Sequence, residues 1–158
     1  MEMKKALQEQ RRLLLQGSLG FGLGLMGWWP TTARACEFYT THLRITHPWT
    51  RVSAPGQTTA IISLKFDEVT KSDRLIGVST PVAQGAVLGG PGASESQALN
   101  YLVPAGRETL FSEQGLHIRL TGLRHPLEMA RSYPLSLLFE QGGRVEADLS
   151  VDYEALTG

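Results

Sequence analysis

The stretch Gly115-Leu116-His117-Ile118-Arg119-Leu120-Thr121-Gly122-Leu123 has the alternating pattern of a β-strand with one apolar and one polar face. Side chains in a strand point to opposite faces in turn. The residues therefore divide into Leu116, Ile118 and Leu120 on one side and His117, Arg119 and Thr121 on the other. We expect the apolar face to lie in a core and the polar face to present His117 and Arg119 side by side.

Short strands and turns account for the chain on both sides of this segment. The expected strands cover residues 43–53, 58–66, 73–79, 82–88, 99–103 and 109–111. Pro48 interrupts the first of them, because proline cannot donate to a strand ladder, and this predicts an edge or a bulge. A hairpin is expected to join 133–140 to 144–153 across Gly142-Gly143. About eight strands with closely spaced turns, and no helical periodicity after residue 35, predict an all-β antiparallel Greek-key sandwich or barrel.

Length and charge limit both the number of domains and the classes of partner. The chain has 158 residues, which suits one β-sandwich domain at 36–158 after a short leader. The total charge is zero, but residues 1–35 carry a net +3, so the rest of the chain carries −3. A mildly acidic domain gives no electrostatic case for nucleic acid, which needs a basic face, so no nucleic-acid partner is expected. The single cysteine excludes an internal disulfide.

Residues 1–35 have the features of a cleavable export signal in the expected order. A basic region ending in Arg11-Arg12 precedes an apolar stretch that Pro30 ends, and Ala33-Arg34-Ala35 offers small residues to signal peptidase. The stretch is glycine-rich and falls short of the roughly 20 strongly apolar residues of a spanning helix. Gln10–Gln16 also resembles a twin-arginine motif, so the twin-arginine route and the general secretory route both stay open.

Cleavage after Ala35 would leave Cys36 at the new amino terminus, and three interpretations of its thiol stay open. A lipid anchor requires a Leu-like residue three positions earlier, where the chain has Ala33, so a membrane tether through Cys36 is not favoured. A thiol beside an α-amine could bind a soft metal, because thiolates select copper(I) and zinc. The third interpretation is an unpaired thiol or one that forms an intermolecular disulfide.

Four stretches of the chain resemble the PCuAC family of periplasmic copper chaperones, which are cupredoxin-like β-barrels. They are His47-Pro48-Trp49-Thr50-Arg51, Asp73–Ala83, Val103-Pro104-Ala105-Gly106, and Gly115–Leu127 together with Pro134–Glu140. The last stretch is similar to the family's His-x-Met-x-x-Gly-Leu strand. The resemblance spans residues 43–151, and it implies a cupredoxin-like fold, a periplasmic location and a role in copper handling.

The resemblance also implies which positions would bind copper(I), and most of them are changed. The family uses two His and two Met, and only His117 remains when these ligands are carried over position by position. The other His falls on Gly89, the Met partner of His117 falls on Arg119, and the loop for the second Met has none. A permanent cation at Arg119 opposes the binding of a metal cation. The usual site is therefore absent.

A replacement site would need other soft or borderline ligands, which are Cys36, His42, His47, His117 and His125. His125 precedes a proline in a turn and is expected to be exposed. His42 and His47 lie five residues apart, a spacing that places them on opposite faces of a strand. We therefore take His117, Cys36 and His47 as the candidate metal residues, with copper(I) as the candidate cofactor.

The leading hypothesis is an exported copper-chaperone-like protein that acts in periplasmic copper handling or in metallation of an oxidase, through a reduced or altered metal site. Its expected partner is a membrane oxidase assembly protein that receives copper. The alternative is a metal-free binding or scaffold module that kept the fold and lost the ligands. The sequence has no Gly-x-Ser-x-Gly elbow, no paired-His zinc motif and no phosphate-binding glycine loop, so no enzymatic activity is expected.

Overall fold

Strands make up the regular structure in the computed structural model, which describes residues 36–94 and 98–153. The predicted export signal, residues 1–35, lies outside the described residues. The strands are β1 (Glu37–Tyr39), β2 (Arg44–Arg51), β3 (Thr59–Asp67), β4 (Asp73–Ser79), β5 (Ala83–Gly89), β6 (Tyr101–Val103), β7 (Thr109–Phe111), β8 (His117–Leu123), β9 (Ser132–Phe139) and β10 (Gly143–Asp152). Across these two ranges, no helix is long and apolar enough to cross a membrane.

The strands form one strongly curved sheet. Neighbouring strands follow the order β5-β8-β3-β2-β10-β9-β4-β6, with β1 added beside β2 and β7 added beside β3. Among the described residues, the paired strands are antiparallel except β2 and β10, which run parallel. Because β4 and β5 lie next to each other, the sheet nearly closes into a barrel. The predicted all-β, mainly antiparallel architecture is confirmed.

The core lies where the apolar faces of the strands meet. Ile118 and Leu120 of β8 are fully buried, as the alternation in this strand predicts. The rings of Phe111 and Phe139 pack edge-on against Phe66, with centroids 5.4 and 6.0 Å away. Edge-to-face aromatic packing adds to the free energy gained from apolar burial. This aromatic cluster therefore joins β3, β7 and β9.

A β-bulge in β2 confirms the interruption expected at Pro48. The pairing of β2 with β3 runs in register to Thr46 and resumes at Trp49, which lies opposite Ser63. His47 and Pro48 therefore stand opposite a single residue of β3, and His47 adopts a φ of 47°. An extra residue in one strand reverses the alternation of faces beyond it. Trp49 consequently shares a face with Ser63.

A network of charges joins the start of β2 to the end of β3. Arg44 donates two hydrogen bonds to Asp67, at 2.6 and 3.1 Å, and Lys65 Nζ lies 2.9 Å from the same carboxylate. Hydrogen bonding to Arg44 is the largest cause that lowers the pKa of Asp67; burial opposes it, and hydrogen bonding to Lys65 adds to the lowering. Arg44 also lies 3.4 Å from Glu37, which ties β1 to β2.

Candidate metal-binding site

His117 begins β8, and a backbone carbonyl fixes the tautomer of its neutral ring. Its Nδ1 lies 2.9 Å from the carbonyl oxygen of Gly115. A carbonyl can only accept, so Nδ1 carries the proton, and in the neutral ring Nε2 has the lone pair that could bind a metal. His117 is only 7% exposed. It is therefore more enclosed than the alternation of β8 predicts.

The enclosure of His117 comes from Gly89, its partner on β5. The two residues are directly opposite in the β5–β8 pairing. A Cβ built on Gly89 would lie 2.5 Å from His117 Nε2, so the imidazole occupies the space that a side chain at position 89 would need. Gly89 is also where the family resemblance places the missing His ligand. The ring of His117 thus fills the space beside position 89.

Arg119 lies two residues further along β8, and hence on the same face as His117. It stands between Val87 of β5 and Ile61 of β3. The position that the resemblance assigns to the family's Met ligand therefore carries a cation on the same face as His117. A guanidinium is always charged in proteins, so the surroundings of His117 oppose an additional positive charge.

A second arginine occupies the continuation of this face on β2. The guanidinium carbon of Arg51 lies 5.7 Å from the centre of the Trp49 ring, and Arg51 forms an ion pair with Glu113. A cavity of about 170 Å³ lies beside this pair and is also lined by Ile61. We call Trp49, Arg51 and Arg119 the arginine face, after its two guanidinium groups.

Cys36 and His47 lie opposite each other where β1 runs beside β2. The pairing Glu37↔Thr46 continues one residue further, and the amide of His47 donates a hydrogen bond to the carbonyl of Cys36 at 2.7 Å. Cys36 is a partly buried free thiol. Nε2 of His47 is buried and has no hydrogen-bond partner. The two predicted ligands are therefore neighbours in space.

The three candidate residues divide into two places. Cys36 and His47 come together through β1 and β2, whereas His117 contacts Gly89 on β5. Across residues 36–94 and 98–153, no group of three or more His, Cys, Asp or Glu residues lies close enough together to hold a metal ion. His125 is exposed, as expected, and its Nδ1 lies 2.9 Å from the carbonyl of Pro126.

The sequence did not predict the strand that brings Cys36 to His47. β1 contains only Glu37, Phe38 and Tyr39, which is too short for an alternating pattern to be recognised. The one available signal is Phe38, whose side chain packs against the core. One aromatic residue does not make an alternating pattern, so it did not indicate a strand.

Solved structures place this fold among PCuAC domains. The apo PCuAC domain from PmoF1 has a TM-score of 0.67 and 24% identity, covering 75% of this chain and 99% of that one. The copper-bound PCuAC domain from PmoF2 has a TM-score of 0.67 and 22% identity, covering 75% and 98%. Copper(I)-bound DR1885 from Deinococcus radiodurans has a TM-score of 0.58 and 19% identity, covering 72% and 82%. The protein therefore has the PCuAC-type, cupredoxin-like fold, as predicted.

A family model identifies the chain more closely. The model described as "Putative lipoprotein LpqE-like" matches residues 43–151, which is more than half of the sequence. The chain belongs to this LpqE-like family, and the resemblance to PCuAC proteins that the sequence motifs indicated is confirmed. No curated protein matches the chain.

Proposed function

We propose that this protein handles copper(I) as cargo after export, using a site that differs from the usual His and Met set. The observation that carries the proposal is the fold shared with copper-bound PCuAC domains, together with the family match over residues 43–151. His117 is one candidate ligand, because its Nδ1 lies 2.9 Å from the Gly115 carbonyl and metal-binding histidines usually donate their second ring N–H in this way.

The donors that this chain offers suit copper(I) better than the harder divalent metals. Cys36 supplies a soft thiolate and His47 and His117 supply imidazole nitrogens, which are ligands that copper(I) accepts. Arg119 disfavours a second positive charge beside His117. A site with few ligands and a nearby cation would release its ion easily, as a carrier must. In this proposal the carrier works in the periplasm, and the acceptor is a membrane oxidase assembly protein; no catalytic step is involved.

Native mass spectrometry of the protein purified from its own compartment tests the proposal, with copper and zinc quantified in the same sample. We expect one copper per chain, and a metal-free, folded protein would contradict copper handling. The measured mass also reports whether residues 1–35 have been removed and whether Cys36 carries a lipid. A lipid on its sulfur would remove Cys36 as a ligand and leave only the histidines.

A second candidate function is a metal-free binding module, and the arginine face favours it. Two of the family's ligand positions now carry Gly89 and Arg119, and the second arginine on this face, Arg51, lies beside a cavity. A face with two guanidinium groups suits a partner with exposed carboxylates. Pull-down from the native compartment with Arg119→Glu as bait would lose that partner. An unchanged set of partners would contradict this alternative.

A further inference from the structure

We propose that Cys36 and His47 form a two-coordinate copper(I) site that does not use His117. The proposal rests on the copper-handling function and specifies which residues hold the cargo. The sulfur would come from β1 and the nitrogen from the bulge in β2, so the pairing of these two strands creates the site.

The position of the two residues is fixed by the backbone. His47 N–H donates to the Cys36 carbonyl at 2.7 Å, directly after the paired residues Glu37 and Thr46. The Cys36 thiol and the His47 imidazole are therefore attached to backbone positions that touch beside the β1–β2 pair. In the proposed site, the thiolate and the imidazole bind one ion between them.

The second, independent observation is the burial of His47 Nε2. This nitrogen has no contact with solvent and no hydrogen-bond partner. Buried polar atoms in native proteins are nearly always hydrogen-bonded, and an exception calls for an explanation, of which a bound ion is one. The imidazole also sits in the bulge with a φ of 47°, a conformation that a non-glycine residue rarely adopts unless its surroundings hold it there. Its ring nitrogen is therefore held in a buried place that lacks a partner.

The charge of the proposed ligands favours copper(I). Copper(I) binding would release the Cys36 thiol proton and form a copper–sulfur bond, while His47 would donate its lone pair as a neutral ligand. The thiolate and the monovalent ion then sum to zero, so the partly buried site carries no uncompensated charge. Zinc would leave a net positive charge and would lack two of the four ligands of its structural sites.

The experiment is a copper(I) titration of the full-length chain against a chromophoric chelator of known affinity. Cys36→Ser and His47→Gln remove the proposed ligands one at a time. His42→Gln is the matched control, because His42 lies on the same segment, between β1 and β2. His117→Ala tests whether copper(I) binds at His117, beside Gly89, instead of at Cys36 and His47. Circular dichroism reports whether each variant folds.

We expect one copper(I) per chain in the native protein. Removing a residue that only hydrogen-bonds to a metal ligand typically lowers metal affinity about 10–100-fold. Removing a ligand itself should cost at least as much, so each ligand variant should lose at least about tenfold in copper(I) affinity. His42→Gln and His117→Ala should bind as the native chain does. Copper should also protect the single cysteine from alkylation in the native chain but not in His47→Gln.

The outcomes separate this inference from the proposed function. Affinity that falls only in His117→Ala would overturn the Cys36–His47 site and leave copper handling intact. A folded chain that binds no copper(I) would overturn both. X-ray absorption at the copper edge tests the unmodified chain without any variant: one sulfur and one nitrogen are expected, and a shell without sulfur would overturn the inference.

Discussion

Replacing Asp73 with alanine tests whether one buried carboxylate fastens the β9–β10 turn to β4. Asp73 is 2% exposed, and it accepts hydrogen bonds from the backbone amides of Gln141 at 2.9 Å and Gly142 at 2.7 Å. A third bond, at 2.8 Å, comes from the amide of its neighbour Arg74. An added Cβ on Gly142 would lie 3.1 Å from Asp73 Oδ2. The turn is therefore fitted closely against the carboxylate.

The magnitude follows from the two bonds that cross to the turn. Hydrogen bonds to charged groups contribute roughly 1.5–3 kcal/mol each. Gln141 is exposed, so water can replace part of what its amide loses, and the lower end of the range applies. We expect Asp73→Ala to reduce the free energy of unfolding by about 3 kcal/mol.

Urea unfolding of the full-length chain, followed by circular dichroism, measures the change. Since the dependence on urea is roughly 1–3 kcal/mol per molar, the midpoint should fall by about 1–3 M. Asp148→Ala is the matched control, because Asp148 is an exposed carboxylate on β10, and its effect should stay within about 0.5 kcal/mol. A loss for Asp73→Ala no larger than that of the control would refute the reasoning.

Three further predictions concern the charge network, the candidate site and the core. Asp67 has its folded-state pKa lowered, chiefly by Arg44, so its stabilisation is present above the unfolded value of about 3.9 and is lost as the pH falls through the folded-state pKa. Urea midpoints should drop over that acid range in the native chain and change less in Asp67→Asn; equal slopes would contradict this. Gly89→Ala places a methyl 2.5 Å from the present position of His117 Nε2, so we expect displaced His117 ring resonances in NMR spectra of a folded protein, and unmoved resonances would show that the ring does not pack there. Phe111→Ala empties a fully buried position and should lower the free energy of unfolding by about 3–5 kcal/mol, whereas a loss under about 1 kcal/mol would mean the aromatic cluster contributes little.

Strands with a clear alternation could be predicted because that signal is local. Asp73–Ser79 and Thr109–Phe111 have the expected bounds, and β9 and β10 form the expected hairpin. The turn between them places Gly143 at a φ of 75°, which is where glycine is favoured. β1 could not be predicted, because three residues contain no period and their position depends on pairing with β2.

The candidate site could be predicted only as a set of residue types. His117 was identified from its motif, but its burial depends on Gly89, which a different strand brings opposite it. Likewise, Cys36 and His47 were each identified as soft or borderline ligands. Their proximity depends on the pairing of β1 and on the bulge in β2. Neither feature can be read from the spacing of the two residues along the chain.

The bulge at His47 and Pro48 affects both the arginine face and the junction of β1 with β2. Ile45 of β2 points into the core, and in an uninterrupted strand Trp49, four residues on, would point the same way. The extra residue reverses the alternation, so Trp49 and Arg51 join the outer face that carries Arg119. The same extra residue holds the His47 ring at the junction with β1. Proline cannot donate to the ladder, so Pro48 suits the bulge. The bulge therefore turns Trp49 and Arg51 onto the arginine face and sets His47, whose buried Nε2 has no hydrogen-bond partner, next to the only cysteine of the chain.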